Sequence, residues 1–250
     1  MGLVKLSRKT DTEPVFDSNG IARTPVLVGE YKPVNFVRTQ LKPDSTFVPN
    51  LYKFGDKQQL FLFTAGKGYI TTPRRAYIIN EVGVFIPDFD KEEISIHASA
   101  DSDVNLEFLH ITAEMSDYDK KDMHDSHLTL PRFRKLSECW TYKEFNTAPN
   151  IKQLVLIEHR NLGRLSMGAT LGYGPTYVGE HIHNELEQWY HVLPGSKLTY
   201  IAEGEEHCLV GGDLAYTRHA SHHGSKTEPG EKCDYIWFEF CENGYPGGIY

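Results

Sequence analysis

Hydrophobic positions in this chain recur in short runs with a period of two, and almost nowhere with the period of a helix. Alternating, aromatic and β-branched segments lie at Val26–Val28, Val34–Thr39, Leu60–Phe63, Tyr69–Thr71, Ala76–Ile79, Val84–Ile86, Ile94–His97 and Asn105–Ile111, with Gly, Pro or Asp punctuating the short gaps between them. Side chains at i and i+2 of a strand share a face, so the pattern predicts strands joined by tight turns, as in an all-β sandwich or barrel. Residues 116–127 interrupt it with a run of charged and polar side chains, which predicts a linker or an exposed turn of helix. Strand-like segments resume from about residue 151 to 241. The first 25 residues, punctuated by Pro14, Gly20 and Pro25, carry no sustained period and are expected to form an arm.

The two strand-rich regions repeat one another. Gln59 lies seven residues before Gly66, and Gly66 seventeen before Gly83; Gln188, Gly195 and Gly212 reproduce both intervals. The offset is 129 throughout (188 less 59, and likewise for the glycines). Val104–Leu109 then falls opposite Cys233–Phe238, strand on strand. One β-domain used twice, with glycine at the same tight turns, is the physical reading. It predicts an arm over 1–25, a first barrel over 26–115, a connecting segment over 116–150 and a second barrel over 151–250.

Chemistry concentrates in the second copy, in the stretch from Gly179 to Gly195. His181 and His183 are spaced to share a strand face, and two neutral imidazoles converging on one cavity are a good start for a transition-metal site. A third ligand is available from Gln188 or Glu187 on the next strand. Downstream, the run from Gly212 brings His219, His222 and His223. Counting back from Gly195, Gln188, Tyr190 and Val192 share one face, while Glu187, Trp189 and His191 share the other. A one-residue bulge at Pro194 would exchange them, because a slip of one residue reverses every side chain. Under the offset of 129, Tyr52, Phe54 and Ile94 stand where the second copy has His181, His183 and His223. The first copy therefore lacks the imidazoles, and Tyr52, Phe54 and Gln59 are expected to fill its interior.

Bulk properties narrow the function. A chain of 250 residues can bury a substantial core as one large or two small domains. Its net charge of −8 argues against the basic face that nucleic-acid binding needs. Cys139, Cys208, Cys233 and Cys241 show no paired spacing and are expected as free thiols in a reducing compartment. The first ten residues have no apolar run behind them, position 6 is Leu where an N-myristoylation signal needs Ser or Thr, and no window reaches the length of a membrane span. A cytoplasmic protein with no nucleic-acid or membrane partner is the expectation.

At these residues the chain resembles the cupin superfamily, and its layout resembles a bicupin, two tandem double-stranded β-helix (jelly-roll) barrels. The first family motif, H-x-H, three or four residues, Glu, six residues, Gly, is matched by His181-Ile182-His183, Gln188 and Gly195. The second is matched from Gly212 to His223. The departures are Gln188 for the glutamate, Arg218 and Ala220 for the Pro and Gly of P-x-G, and Pro175 at the spacing of the leading glycine, with Gly174 beside it. An inactive first barrel and a metal-bearing second one is similar to the layout of ureidoglycine aminohydrolase, whose ligand set differs, so the same reaction is not implied.

The resemblance implies a divalent transition metal (manganese, iron, zinc or nickel) on His181, His183, Gln188 and His223, with motif spacing placing His223 rather than His222 inside. Tyr190 is read as a barrel aromatic or as an acid/base or hydrogen-bonding group, Glu187 as a second proton-moving candidate, and Arg218 as a loop cation able to grip a substrate carboxylate. The expected function is a non-redox lyase, isomerase or hydrolase acting on a small polar substrate (carboxylate, ureide or sugar-like), in a homodimer. The alternatives are an iron-dependent dioxygenase and a binding module without turnover.

Overall fold

In the computed structural model, residues 4–246 are described, and their regular structure is almost all antiparallel strand, in two compact units. One unit comprises residues 12–117 and 129–138; the other comprises 1–11, 118–128 and 139–250. The expected order of arm, barrel, linker and barrel is thus corrected to an interleaved one, in which the arm and the connecting segment are divided between the units.

The first unit pairs a six-stranded sheet with a four-stranded one. The larger sheet runs Arg132–Lys135, Gly83–Ile86, Lys57–Ala65, Leu106–Glu114, Val34–Leu41 and Ile21–Val26 in spatial order. Between the sheets lies an aromatic core of Phe47, Phe61, Phe63, Phe85 and Phe108 with Leu41, Ile70 and Ile96. Gly66, at φ 81°, makes the turn from Lys57–Ala65 of the larger sheet to Gly68–Thr71 of the smaller one, and a Cβ there would meet the Asn105 carbonyl oxygen at 2.4 Å, so no other residue fits.

The second unit pairs a seven-stranded sheet with a four-stranded one. The larger runs Lys5–Ser7, Leu214–Thr217, Leu186–Val192, Tyr235–Cys241, Leu165–Leu171, Lys152–Leu162 and Thr141–Tyr142. The smaller runs Thr176–His181, His223–Thr227, Lys197–Ala202 and Glu205–Val210. Each unit therefore has its edge closed by a segment from elsewhere in the chain. Lys5–Ser7 pairs with Leu214–Thr217, and Arg132–Lys135 pairs with Gly83–Ile86. Arg8 fixes the first of these by donating to Asp213 at 2.9 Å, where the Lys9 amide also donates at 2.9 Å. The helix Asp117–Asp125, read from sequence as a linker or helical turn, docks on the second unit through buried Asp119, whose carboxylate takes the Arg164 guanidinium at 2.9 Å. Among the described residues no helix is long and apolar enough to cross a membrane.

Tyr52 and Phe54 do not fill the first barrel. The strand Thr46–Phe47 that precedes them is two residues long, so both side chains fall in the loop before Lys57. Phe54 is 51 % exposed and meets Phe89 edge-on. The phenylalanines of the sheets fill the interior instead, together with buried Gln59.

Candidate metal centre

Three imidazoles meet at one end of the second barrel. His181 is the last residue of its strand and pairs across the smaller sheet with His223, the first residue of the next. His183 lies two residues further, on the turn into Leu186–Val192 rather than on the strand itself. Ring centroids stand 4.5 Å apart for His181 and His223, 4.9 Å for His181 and His183, and 5.5 Å for His183 and His223. One nitrogen from each ring lies within 4.8 Å of the other two. His222 points outward, exposed, with its amide donating to Glu203.

Backbone carbonyls set the protonation of two of these rings. A carbonyl oxygen only accepts, so the Gly179 carbonyl at 2.8 Å and the Ser221 carbonyl at 2.9 Å fix a proton on Nδ1 of His181 and of His223. Nε2 of each ring is then a bare lone pair. Nε2 of His223 is buried and has no hydrogen-bond partner, an orphaned acceptor that a cation would satisfy. Burial, with His181 beside it, pushes His223 down to about 3, and burial also lowers His183. Neutral imidazoles oriented by outer carbonyls are the donor set that divalent transition metals take, so the residues present fit such an ion.

The strand Leu186–Val192 resolves which face looks inward. Gln188, Tyr190 and Val192 stand opposite Glu239, Trp237 and Tyr235 of the last strand. Gln188, Tyr190, Tyr235, Trp237 and Glu239 border the same cleft as His181 and His183. Glu187 faces the other way, and this is the correction to its placement near the metal. Its carboxylate accepts from the Tyr216 hydroxyl at 2.7 Å and from the His219 amide at 3.2 Å, with His219 Nδ1 at 2.6 Å. No bulge at Pro194 turns it inward: the pairing with Tyr235–Cys241 keeps one register over the whole strand. Arg218 is likewise not brought to the cleft; it is exposed on the turn after Leu214–Thr217.

Gln188 sits beside the histidines, but its amide is engaged: Nε2 donates to Glu239 at 2.7 Å, and Oε1 accepts from the Tyr190 hydroxyl at a long 3.4 Å. The Tyr190 phenol is raised well above its ordinary range by burial and by Tyr200, and the hydrogen bond it makes is a donated one, to Gln188.

Glu239 is the site residue that sequence reasoning missed. It is a buried carboxylate that also accepts from Ser166 Oγ at 3.0 Å and faces His159 Nε2 at 3.3 Å. Burial alone would raise it, but the hydrogen bond and charge of His159, with His183 and Gln188, hold it below the usual carboxylate range. The available signal was a lone carboxylate in the apolar run Tyr235–Cys241, every residue of which is buried. A lone acid in a fully buried strand needs partners, and those partners mark a site.

The architecture is shared with solved structures of low sequence identity. Protein Ylba from E. coli superposes with a TM-score of 0.72 at 10 % identity, over 98 % of this chain and 93 % of that one. An oxalate decarboxylase variant from Bacillus subtilis gives 0.67 at 13 % identity, over 96 % and 78 %. A cupin 2 conserved barrel domain protein from Leptotrichia buccalis gives 0.59 at 14 %, over 88 % of each chain. This is the bicupin fold. No family model and no curated protein matches the sequence itself. Within this bicupin the histidine cluster belongs to the second barrel, and the equivalent region of the first holds Gln59 and His110 among phenylalanines.

Proposed function

We propose that the second barrel holds one divalent transition metal on His181, His183 and His223, and that the protein is an enzyme of non-redox lyase, isomerase or hydrolase type acting on a small polar substrate. The observation that carries this is the orphaned Nε2 of buried His223, set within 4.8 Å of ligand atoms on two further imidazoles. When bound, such an ion polarises a substrate oxygen and stabilises the negative charge that develops there. The set is neutral, so the ion's charge is undiminished by a carboxylate ligand. Around it, Glu239 supplies the carboxylate that accepts a proton, His159 connects that carboxylate to solvent with a side chain 56 % exposed, and Gln188 holds the carboxylate oxygen in place. Tyr190 and Trp237 offer hydrogen-bond donors along the same wall. Among the structures of the same fold, the oxalate decarboxylase carries a name within this reaction class.

Metal content tests the reading. Protein purified without added metal should carry about one equivalent of manganese, zinc, nickel or iron, and His181→Ala/His183→Ala should carry none while remaining folded. Folded wild type free of metal, or metal retained by the double variant, would overturn it. A three-histidine set with open positions also suits ferrous iron and dioxygen. Iron in the preparation, with oxygen consumed on turnover, would move the assignment to a dioxygenase.

A further inference from the structure

Beside the histidines, and wholly within the second unit, lies a larger cavity of about 330 Å³. Tyr142, Glu144, His183, Trp237 and Glu239 border both this cavity and the cleft at the metal centre, so the two adjoin at those side chains. Its aromatic walls are Trp140, Tyr142 and Trp237, the last two meeting edge-on at 6.4 Å between ring centres. Its ionisable groups are the carboxylates Glu144, Glu158 and Glu239 and the imidazoles His159 and His183, with His159 Nε2 facing Glu239 at 3.3 Å. No lysine or arginine borders either space among the described residues. An anionic substrate entering here would leave water for three carboxylates, against the single outer imidazole of His159 that already faces Glu239, which is unfavourable. A cation would meet aromatic rings and carboxylates together, the residue types that recognise ammonium groups. One of the lining residues also carries a donor. Trp237 is 8 % exposed and its indole N–H meets no acceptor in hydrogen-bonding geometry, the Tyr142 phenol being its polar neighbour. An indole N–H only donates, so it calls for an acceptor on the ligand.

We infer that this cavity binds the substrate, and that the substrate joins a cationic nitrogen to an oxygen-bearing end. The nitrogen lies between the Trp140 and Tyr142 faces with Glu144 and Glu158, and the oxygen reaches Trp237 and the histidine end. Compounds of the amino-alcohol or amino-amide class have this shape and charge; dicarboxylates do not. The inference rests on the metal-centre reading for the chemistry at the oxygen end, but the cation-binding half stands on the cavity alone. It also removes Arg218 from substrate binding, since the charge it was expected to grip is of the wrong sign for this space.

Choline serves as the probe, with dimethylbutanol as its uncharged carbon analogue and oxalate as a dianion, followed by tryptophan fluorescence of the intact protein. Choline should bind saturably and about ten-fold or more tightly than dimethylbutanol, while oxalate should not compete. Trp140→Ala and Glu158→Gln, checked for folding by circular dichroism, should each weaken choline about ten-fold. Equal binding of choline and its neutral analogue, displacement by oxalate, or choline binding untouched in both variants would overturn the assignment. His181→Ala separates the two readings. It should lose the metal and keep choline; a protein found metal-free that still binds choline would remove the proposed chemistry and leave the cation pocket.

Discussion

The two barrels place glutamine at the same point and surround it with opposite physics. In the second, Gln188 stands opposite Glu239 and donates to it at 2.7 Å, beside three histidines and an open cavity. In the first, Gln59 lies 2.8 Å from His110, whose ring stacks on Phe61 at 4.7 Å. There Gln59 pairs with Thr112, two residues from His110, so the strands have slid by two relative to the second barrel. A slide of two preserves which face looks inward. The scaffold thus tolerates a change of register while its interior changes from a polar cleft to a packed aromatic core. What separates a site from a core here is whether phenylalanine occupies the space, since both barrels keep a buried polar pair.

Filling the space should make the first barrel sensitive to truncation. Phe61→Ala is expected to cost about 3–5 kcal/mol, through lost burial and the cavity left behind, with the metal content of the protein unchanged. Urea denaturation gives the first quantity and elemental analysis the second, and loss of metal would show that the barrels are not independent in this sense.

The buried polar pair of the first barrel gives the next effect. Burial, with Arg23 Nη2 donating to Nδ1 at 3.1 Å, lowers His110 to about 4, against 6.5 for an exposed histidine. The unfolded chain then binds the extra proton between these values, so stability falls as pH drops from about 6.5 to 4 and is unaffected by this group above that window. The loss should approach about 3 kcal/mol at the acid end. His110→Gln should flatten this part of the urea midpoint's pH profile; an unaltered profile would remove His110 as its cause.

The smallest effect concerns the outward face of the Gln188 strand. Glu187→Gln removes a charged acceptor for Tyr216 and for the turn at His219, at an expected cost of about 1–3 kcal/mol. Because this side chain points away from the histidines, metal content should stay at its wild-type value. Metal lost from a folded Glu187→Gln would bring the carboxylate back to the metal centre.

Much of this was legible in the sequence, for identifiable reasons. Strands with one wet face, such as Thr176–His181, show alternation directly, and the paired glycines Gly66 and Gly195 mark turns with φ of 81° and 76°. The spacing from Gly195 gave the face of Gln188 because nothing interrupts that strand. Glu239 was hidden because both faces of Tyr235–Cys241 are buried, which erases the period. Tyr52 and Phe54 were misplaced because a constant offset presumes equal strand lengths, and the first barrel ends its strand at Phe47. The edge strand Lys5–Ser7 carries too few residues to show any pattern, and its partners lie too far away for local signals to reveal.

That last pairing has a consequence for the order of events during synthesis. Arg8 and Asp213, which lock the edge, are 205 positions apart, so Lys5–Ser7 leaves the ribosome long before the strand it must pair with. Until then the row of backbone groups on Leu214–Thr217 has no cover, and an uncovered strand edge is a template for joining another chain. An alteration in Lys5–Ser7 would therefore be felt as stickiness at Leu214–Thr217.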